Sequence, residues 1–229
     1  MKNLLNITAH SGCDGTERDS LESVRRGIRF GADAVEVDVR LDKGGLLILS
    51  HDKEESRDYP GHARLADVFS LALENGSLAV NCDVKEREAV PAILRLGAEM
   101  GMEKERLILT GSSSPAMLRE NPGMVKAASF WLNVEELEED YYRAGRIEPL
   151  IAACLGLGVR VLNMPFADPC IRLIPRIQAA GMGVSVWTLN EETPLRRAFG
   201  LGVVNVTTCE SRRAVELRLQ HRASPNAAG

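Results

Sequence analysis

Three segments of this chain share one pattern: a glycine, one residue, a second glycine, and then a run rich in β-branched residues. They begin at Gly156, Gly181 and Gly200, and a looser fourth copy begins at Phe30. Each follows a stretch of helical character, so the glycine stands where a helix ends and the apolar run where a strand begins. No copy completes the GxGxxG of a dinucleotide-binding turn, which opens a helix instead of ending one. The pattern therefore predicts repeated helix–strand units.

Extending this interpretation along the chain gives eight predicted strands with helical stretches between them. The strands are expected at residues 4–10, 34–40, 78–85, 107–110, 126–132, 159–163, 184–188 and 203–207. Helices are expected, among other places, at 20–30, 86–100, 169–180 and 212–220, and a short extra strand at 46–49. Strands that alternate with helices predict a parallel α/β architecture. Eight such units favour a (β/α)₈ TIM barrel; an open doubly wound sheet is the alternative.

No Pro- or Gly-rich linker divides the chain, so we expect a single domain at residues 1–221 and a flexible tail at 222–229. Asp and Glu (32) slightly outnumber Lys and Arg (28), for a formal net charge of −4, and 45% of the residues are hydrophobic. These values exclude a disordered chain and a strongly basic nucleic-acid-binding protein. Two Trp, three Tyr and five Phe also leave little for a base-stacking surface.

The five cysteines are scattered and form no CxxC pair, which argues against a disulfide framework and a structural zinc site. The N-terminus lacks the apolar run of a signal peptide, and no apolar run is long enough to span a membrane. We therefore expect a cytoplasmic protein without a transmembrane segment and without a nucleic-acid partner. The sequence leaves the oligomeric state open.

Ionisable side chains collect at one end of the first three predicted strands. In a parallel barrel, catalytic side chains project from the carboxyl ends of the strands, and successive side chains alternate between the two faces. Residues 36 and 38 therefore share one face of the second strand, and residues 81, 83 and 85 share one face of the third. The groups expected at one mouth of the barrel are His10, Glu36, Asp38, His51, Asp83 and Lys85.

Three carboxylates this close together repel one another, and burial would force them to take up protons. A divalent cation removes that problem, and all-oxygen ligands favour Mg²⁺ or Ca²⁺, with Mn²⁺ as a further option, over zinc. Two histidines beside such an ion suit phosphoryl chemistry, in which one imidazole takes a proton and the other donates one. These residues predict a metal-dependent site suited to phosphoryl chemistry.

The motifs themselves resemble the glycerophosphodiester phosphodiesterase family. Its pattern H-R-G, G-A-D-x-I-E-x-D-V, T-K-D-G and H-D corresponds here to HSG at His10, GADAVEVDV at Gly31, DKGG at Asp42 and His51-Asp52. Residues 81–85 (NCDVK) correspond to N-x-E-x-K, and residues 186–190 (VWTLN) to v-W-T-v-N. The matches extend from residue 7 to about residue 207 and so cover nearly the whole chain.

This resemblance implies a single-domain TIM barrel with a minimal insertion after the second strand. It implies that the barrel hydrolyses a small-molecule phosphodiester, a glycerophosphodiester, to glycerol 3-phosphate and an alcohol, through a cyclic phosphate if a substrate hydroxyl attacks first. It implies His10 and His51 as the acid–base pair, Glu36, Asp38 and Asp83 as metal ligands, Lys85 as a phosphate contact, and Trp187 as a wall of the substrate cleft.

Several positions depart from the family pattern. Ser11 replaces an arginine that grips phosphate, Arg18 replaces a glutamate, and Cys209 lies where the family has an aspartate. These changes favour, as one alternative, a catalytically degenerate barrel that only binds phosphorylated ligands. Asp83 is one methylene shorter than the usual glutamate, which favours a second alternative, a sphingomyelinase D-like (lyso)phospholipase that forms a cyclic phosphate.

Structural roles compete with these functional ones at several positions. Glu36 and Asp38 could simply pair with Arg40 or Lys85, and Trp187 is as compatible with a packed core as with a cleft wall. The other two histidines, at positions 62 and 221, are assigned to a solvated loop and to the tail. The acidic run at 135–140 is typical of the exposed start of a helix.

Overall fold

The computed structural model describes residues 5–53, 61–134 and 147–223. Its strands are β1 (Asn6–Ala9), β2 (Ala34–Leu41), β3 (Leu47–Leu49), β4 (Ala79–Val84), β5 (Leu107–Gly111), β6 (Ser129–Asn133), β7 (Val161–Pro165), β8 (Gly183–Trp187) and β9 (Asn205–Thr208). All except β3 pair in parallel, and β1 pairs with both β2 and β9, which closes the sheet. β3 pairs antiparallel with β2. The predicted (β/α)₈ TIM barrel is confirmed, and the open sheet is excluded.

The helices lie between these strands along the chain. They are α1 (Leu21–Arg29), α2 (Leu65–Glu74), α3 (Val90–Met100), α4 (Pro115–Glu120), α5 (Met124–Ala127), α6 (Ile147–Gly156), α7 (Cys170–Ala179), α8 (Glu192–Gly200) and α9 (Ser211–Ala223). Two short 3₁₀ turns, Cys13–Gly15 and Arg87–Ala89, precede α1 and α3. None of the helices in the described ranges is long and apolar enough to cross a membrane.

Most predicted element boundaries differ from the structure by one to four residues, and two of the differences change how a segment is assigned. The strand expected at 126–132 begins at Ser129, because Met124–Ala127 form the short helix α5; Lys126 and Ala127 are good helix formers. The last helix continues to Ala223, two residues into the predicted tail. Residues 224–229 of that tail, and the acidic run at 135–140, lie outside the described residues.

The core lies between the barrel wall and the helices. Alternate residues of β2, namely Val35, Val37 and Val39, are buried there, as are Val80, Cys82 and Val84 of β4. Because side chains alternate along a strand, the intervening residues point into the barrel. The predicted division of faces on these two strands is therefore confirmed.

Helix α1 packs closely against β1 and β2, and this contact positions the segment before it. A Cβ atom on Gly27 would lie 2.7 Å from the Cβ atom of Ala9, so only glycine allows this approach. Ser20 caps the helix by accepting a hydrogen bond from the Ser23 backbone N–H. The residues just before the cap, Arg18 and Asp19, thereby stand over the mouth of the barrel.

Candidate active site

A cavity of about 470 Å³ opens at the carboxyl ends of the barrel strands. It is lined by His10, Arg18, Glu36, Asp38, His51, Asn81, Asp83, Val84, Lys85, Thr110, Gly111, Ser112, Asn133, Asn163, Trp187, Thr188 and Thr207. Every side chain that the sequence assigned to catalysis, metal binding or substrate binding is in this set. The structure therefore brings all seven predicted site residues to one cavity.

The three predicted metal ligands form a tight acidic cluster. Glu36, Asp38 and Asp83 each offer a carboxylate oxygen, and these oxygens lie within 4.8 Å of one another. A Ca²⁺ ion typically lies about 2.3–2.6 Å from each oxygen ligand, so one ion can bind oxygens at these separations. Glu36 and Asp38 are buried, whereas Asp83 is partly exposed to the cavity. The donor set is all oxygen and fits a divalent cation.

Two basic side chains lie against this cluster. The Lys85 ammonium is 2.7 Å from Asp38 Oδ1 and 2.5 Å from Asp83 Oδ2. Burial alone would lower the pKa of Lys85, but the carboxylates of Asp83 and Asp38 outweigh it and hold that pKa above its usual value. The Arg18 guanidinium approaches Asp38 Oδ2 at 3.5 Å. The alternative in which the acidic residues form ion pairs thus holds for Asp38 with Lys85.

His10 follows the last residue of β1 and lies next to Glu36. Its Nδ1 lies 2.8 Å from the Ser11 carbonyl oxygen and 3.8 Å from Glu36 Oε2. Burial opposes protonation, but the Glu36 charge and hydrogen bonds with Cys209 and Ser11 raise the pKa of His10 to about 10. Burial and the nearby charges of Asp38 and Asp83 raise the pKa of Glu36 to about 7 against the opposing effect of His10. Each of the two groups therefore holds its own proton more tightly than it would in water.

His51 is held by backbone contacts on both sides. Its N–H donates to Asp19 Oδ2 at 2.9 Å, and its carbonyl oxygen accepts from Nε and Nη2 of Arg40 at 3.1 and 2.9 Å. Its side-chain Nδ1 lies 2.8 Å from Asp52 Oδ1. Arg40 therefore supports His51, instead of pairing with Glu36 or Asp38 as one alternative suggested.

Asp19 connects the loops that carry the two histidines. Its backbone N–H donates to Ser11 Oγ at 2.8 Å, and Ser11 Oγ lies 3.1 Å from Asp19 Oδ1. Its other carboxylate oxygen accepts the His51 N–H. Asp19 adopts φ of 55°, a left-handed conformation that Asp tolerates better than most residues. The Ser11 backbone N–H in turn donates to Glu36 Oε2 at 3.0 Å, so the whole segment is tied to the acidic cluster.

Trp187 lies at the end of β8, on the cavity wall. Its indole Nε1 is buried and has no hydrogen-bond partner among the described residues. This placement matches the cleft-wall interpretation and not the packed-core one. This donor is therefore a buried polar group whose hydrogen bond is not satisfied by the described residues.

Other residues of the site were not found from the sequence. Asp19 and Arg40 carry no motif of their own, and the polar residues Thr110, Asn133 and Asn163 sit near strand ends that the sequence marked only as strands. The remaining two histidines lie outside the cavity lining. One of them, His221, stands on α9 with its ring 5.8 Å from that of Phe199, so its assignment to a solvated tail was wrong: α9 continues past it.

Comparisons with known structures place the fold among phosphodiesterase barrels. A glycerophosphodiester phosphodiesterase from Parabacteroides distasonis ATCC 8503 is 17% identical with a TM-score of 0.76, over 98% of this chain and 100% of that one. One from Thermotoga maritima is 23% identical with a TM-score of 0.74, over 93% and 98%. A phosphodiesterase from Oleispira antarctica, solved with its product sn-glycerol-3-phosphate, is 17% identical with a TM-score of 0.72, over 93% and 96%. At these identities the likeness establishes a shared fold.

The family assignment comes from a sequence model. A search of functionally curated proteins found no match. The model of the glycerophosphoryl diester phosphodiesterase family, however, matches residues 10–134, which is more than half of the chain. The matched segment contains both cavity histidines, the acidic cluster and Lys85. The chain therefore belongs to the glycerophosphoryl diester phosphodiesterase family and is a phosphoric diester hydrolase.

Proposed function

We propose that this enzyme hydrolyses small glycerophosphodiesters to glycerol 3-phosphate and an alcohol, with His10 and His51 as acid–base catalysts and with a divalent cation. The observation that carries the proposal is the shared cavity, in which the two imidazoles stand beside three carboxylates and Lys85. A cavity of about 470 Å³ lies within the range of about 300–1,000 Å³ typical of small-molecule sites.

Glu36, Asp38 and Asp83 would hold Mg²⁺, Ca²⁺ or Mn²⁺. When bound, the ion supplies positive charge beside the phosphate oxygens, where negative charge develops in the transition state. The raised pKa of Glu36 reflects crowded negative charge and burial. A cation at this position relieves that crowding, which supports a metal site here.

The hydrogen bonds of the two imidazoles define how protons move. In His10, Nδ1 faces the Ser11 carbonyl oxygen, which can only accept, so Nδ1 carries the proton and Nε2 is the nitrogen that exchanges one. In His51, Asp52 holds Nδ1 in the same way and leaves Nε2 for exchange. One histidine takes the proton of the attacking substrate hydroxyl and the other protonates the departing alcohol oxygen, which gives a cyclic phosphate. Water then opens the cyclic phosphate with the two proton roles exchanged, which gives glycerol 3-phosphate.

Lys85 and Trp187 line the cavity and would contact the substrate there. Lys85 provides an ammonium for the phosphate. Trp187 offers an apolar face and a buried, unpartnered N–H within the described part of the chain. These groups suit a substrate with a phosphate at one end and a small polar alcohol at the other.

The five cysteines carry free thiols, and all but one are buried. Free thiols are typical of proteins in a reducing compartment, which supports the expectation of a cytoplasmic location.

The test is an assay for sn-glycerol 3-phosphate released from glycerophosphocholine and glycerophosphoethanolamine, with Mg²⁺, Ca²⁺ and Mn²⁺ supplied in turn. We expect activity with at least one ion, its loss with chelator, and a fall of at least about a hundredfold in His10→Ala and His51→Ala. His221→Ala, on α9, serves as the matched control and keeps full activity. No release with any ion would contradict the proposal.

Two further comparisons separate the alternatives. Choline released from lysophosphatidylcholine or sphingomyelin, with a cyclic phosphate detected by ³¹P NMR, would favour the sphingomyelinase D-like activity suggested by Asp83. Equal rates for the wild-type protein and His10→Ala with every ion would favour a barrel that only binds phosphorylated ligands.

A further inference from the structure

Arg18 lines the same cavity as the two histidines and the acidic cluster. It lies in the short segment between the 3₁₀ turn Cys13–Gly15 and helix α1. The segment is anchored immediately after Arg18, because Asp19 contacts the Ser11 hydroxyl and the His51 N–H while Ser20 caps α1. The position of Arg18 over the mouth is therefore fixed by its neighbours.

The aliphatic part of the Arg18 side chain packs against the backbone of Gly12. A Cβ atom on Gly12 would lie 2.8 Å from Arg18 Cγ, so the side chain crosses the backbone of Gly12 at close range. Gly12 has φ of 82°, a backbone conformation that disfavours residues with a Cβ atom. Glycine at this position therefore leaves room for the Arg18 side chain. The packed stem directs the guanidinium toward the acidic cluster.

The Arg18 guanidinium makes one long polar contact within the described residues. Its polar contact within the described residues is from Nη2 to Asp38 Oδ2 at 3.5 Å, and 53% of the side chain is exposed. The other oxygen of Asp38 is taken by Lys85 at 2.7 Å. A guanidinium carries five N–H donors, so most donors of Arg18 have no partner within the described part of the chain.

The charge balance of the mouth indicates what these donors would bind. The three carboxylates of the acidic cluster face two permanent cations, Lys85 and Arg18. A divalent cation would turn the remaining excess of negative charge into an excess of positive charge. Such a site attracts an anion, and the planar fork of an arginine matches two oxygens of a phosphate.

We infer that Arg18 is a substrate-binding residue whose guanidinium donates hydrogen bonds to the phosphate oxygens of the substrate. The inference rests on the proposed function, since it names a further group that binds the phosphodiester. The competing role is that of a counter-ion that only neutralises Asp38. A counter-ion affects cation binding, whereas a phosphate ligand affects anion binding.

The experiment is isothermal titration calorimetry of inorganic phosphate into protein saturated with Mg²⁺, followed by a separate Mg²⁺ titration without phosphate. The proteins are the wild type, Arg18→Gln and Arg18→Lys, with Arg172→Gln as the matched control because Arg172 is an exposed arginine on α7. Arg18→Gln is expected to weaken phosphate binding at least about tenfold, and Arg18→Lys about threefold. Mg²⁺ affinity is expected to stay within about threefold of the wild type. Arg172→Gln is expected to match the wild type.

Phosphate affinity of Arg18→Gln within about twofold of the wild type would overturn the inference, as would wild-type protein that binds no phosphate. A loss that disappears once Mg²⁺ saturation is matched would assign the counter-ion role instead. If Arg18→Gln proves unfolded by circular dichroism, Arg18→Lys decides by the same criteria, with an unchanged affinity overturning the inference. Because binding is measured without turnover, a protein that binds phosphate through Arg18 but releases no glycerol 3-phosphate would contradict only the proposed function.

Discussion

Lys85 and Asp38 form an ion pair at the centre of the site, with Nζ 2.7 Å from Oδ1 and the Asp38 side chain only 2% exposed. The same ammonium contacts Asp83 Oδ2. Two of the three predicted metal ligands thus share the single positive charge of Lys85. The ammonium and a divalent cation are attracted to the same oxygens, so we expect them to compete.

Lys85→Met tests this competition. Removal of the ammonium leaves the acidic cluster more negative, so Mg²⁺ should bind about tenfold more tightly, which corresponds to about 1.4 kcal/mol. Hydrolysis should fall, because the phosphate loses a cationic contact. Calorimetry of Mg²⁺ binding without substrate, beside a KM determination, measures both effects. Lys126→Met, an exposed lysine on α5, is the control, and weaker Mg²⁺ binding in Lys85→Met would contradict the competition.

The second prediction concerns pH and the pair His10–Glu36 in metal-free protein. Folding raises the pKa of both groups, to about 10 for His10 and about 7 for Glu36, from 6.5 and 4.5. The native state therefore binds more protons than the unfolded state between pH 4.5 and about 10. Stability must then fall as pH rises through this window. Denaturant midpoints with chelator at about pH 5, 7 and 9 should decrease in that order.

Glu36→Gln isolates this contribution from the other ionisable groups. The variant removes one titrating carboxyl and also the charge that holds the pKa of His10 high. The difference in unfolding free energy between the two proteins should therefore shift with pH, and the variant should show the flatter dependence. Parallel pH profiles for the two proteins would contradict the assignment.

Much of the acidic cluster was predictable because strand geometry is local. Glu36 and Asp38 are two residues apart on one strand, and that spacing alone puts both on the inner face. Asp83 followed from the same rule on a neighbouring strand. The ion-pair partner of Asp38 could not be predicted, since nothing in the sequence decides whether Lys85 or Arg40 reaches its carboxylate.

The contribution of the segment before α1 was not predictable for a different reason. Asp19 reaches His51, 32 residues away along the chain, only because it adopts a left-handed conformation and because Ser11 fixes its carboxylate. Such contacts depend on the relative placement of two loops. Local sequence patterns do not encode that placement, so the sequence identified Arg18 only as a departure from a motif and did not identify Asp19 as a site residue.

The third prediction follows from the hydrogen bond between the His51 N–H and the Asp19 carboxylate. Asp19→Ala removes the acceptor for the His51 N–H and places alanine at a positive φ, which costs about 1–2 kcal/mol. A catalytic group displaced by about 1 Å loses up to about a hundredfold in rate, so kcat should fall about ten- to a hundredfold with little change in KM. Asp19→Asn keeps an acceptor oxygen and tolerates the conformation, and should retain most activity. Steady-state kinetics of both variants provide the check, and a loss confined to KM would argue against a positioning role.

The fourth prediction concerns Gly111, at the end of β5, which has φ of 71°. A Cβ atom there would overlap Asp83 Oδ1 and the Val84 carbonyl oxygen, so Gly111→Ala must push β4 or Asp83 aside. Gly76, with φ of 62° and open space where a Cβ atom would lie, has the same backbone cost without the overlap. Gly76→Ala should therefore lose about 1–2 kcal/mol. Gly111→Ala should lose clearly more and should also weaken Mg²⁺ binding at least about tenfold, because Asp83 moves. Urea unfolding and Mg²⁺ calorimetry on the two variants measure the difference, and equal losses would show that β5 does not constrain the metal ligand.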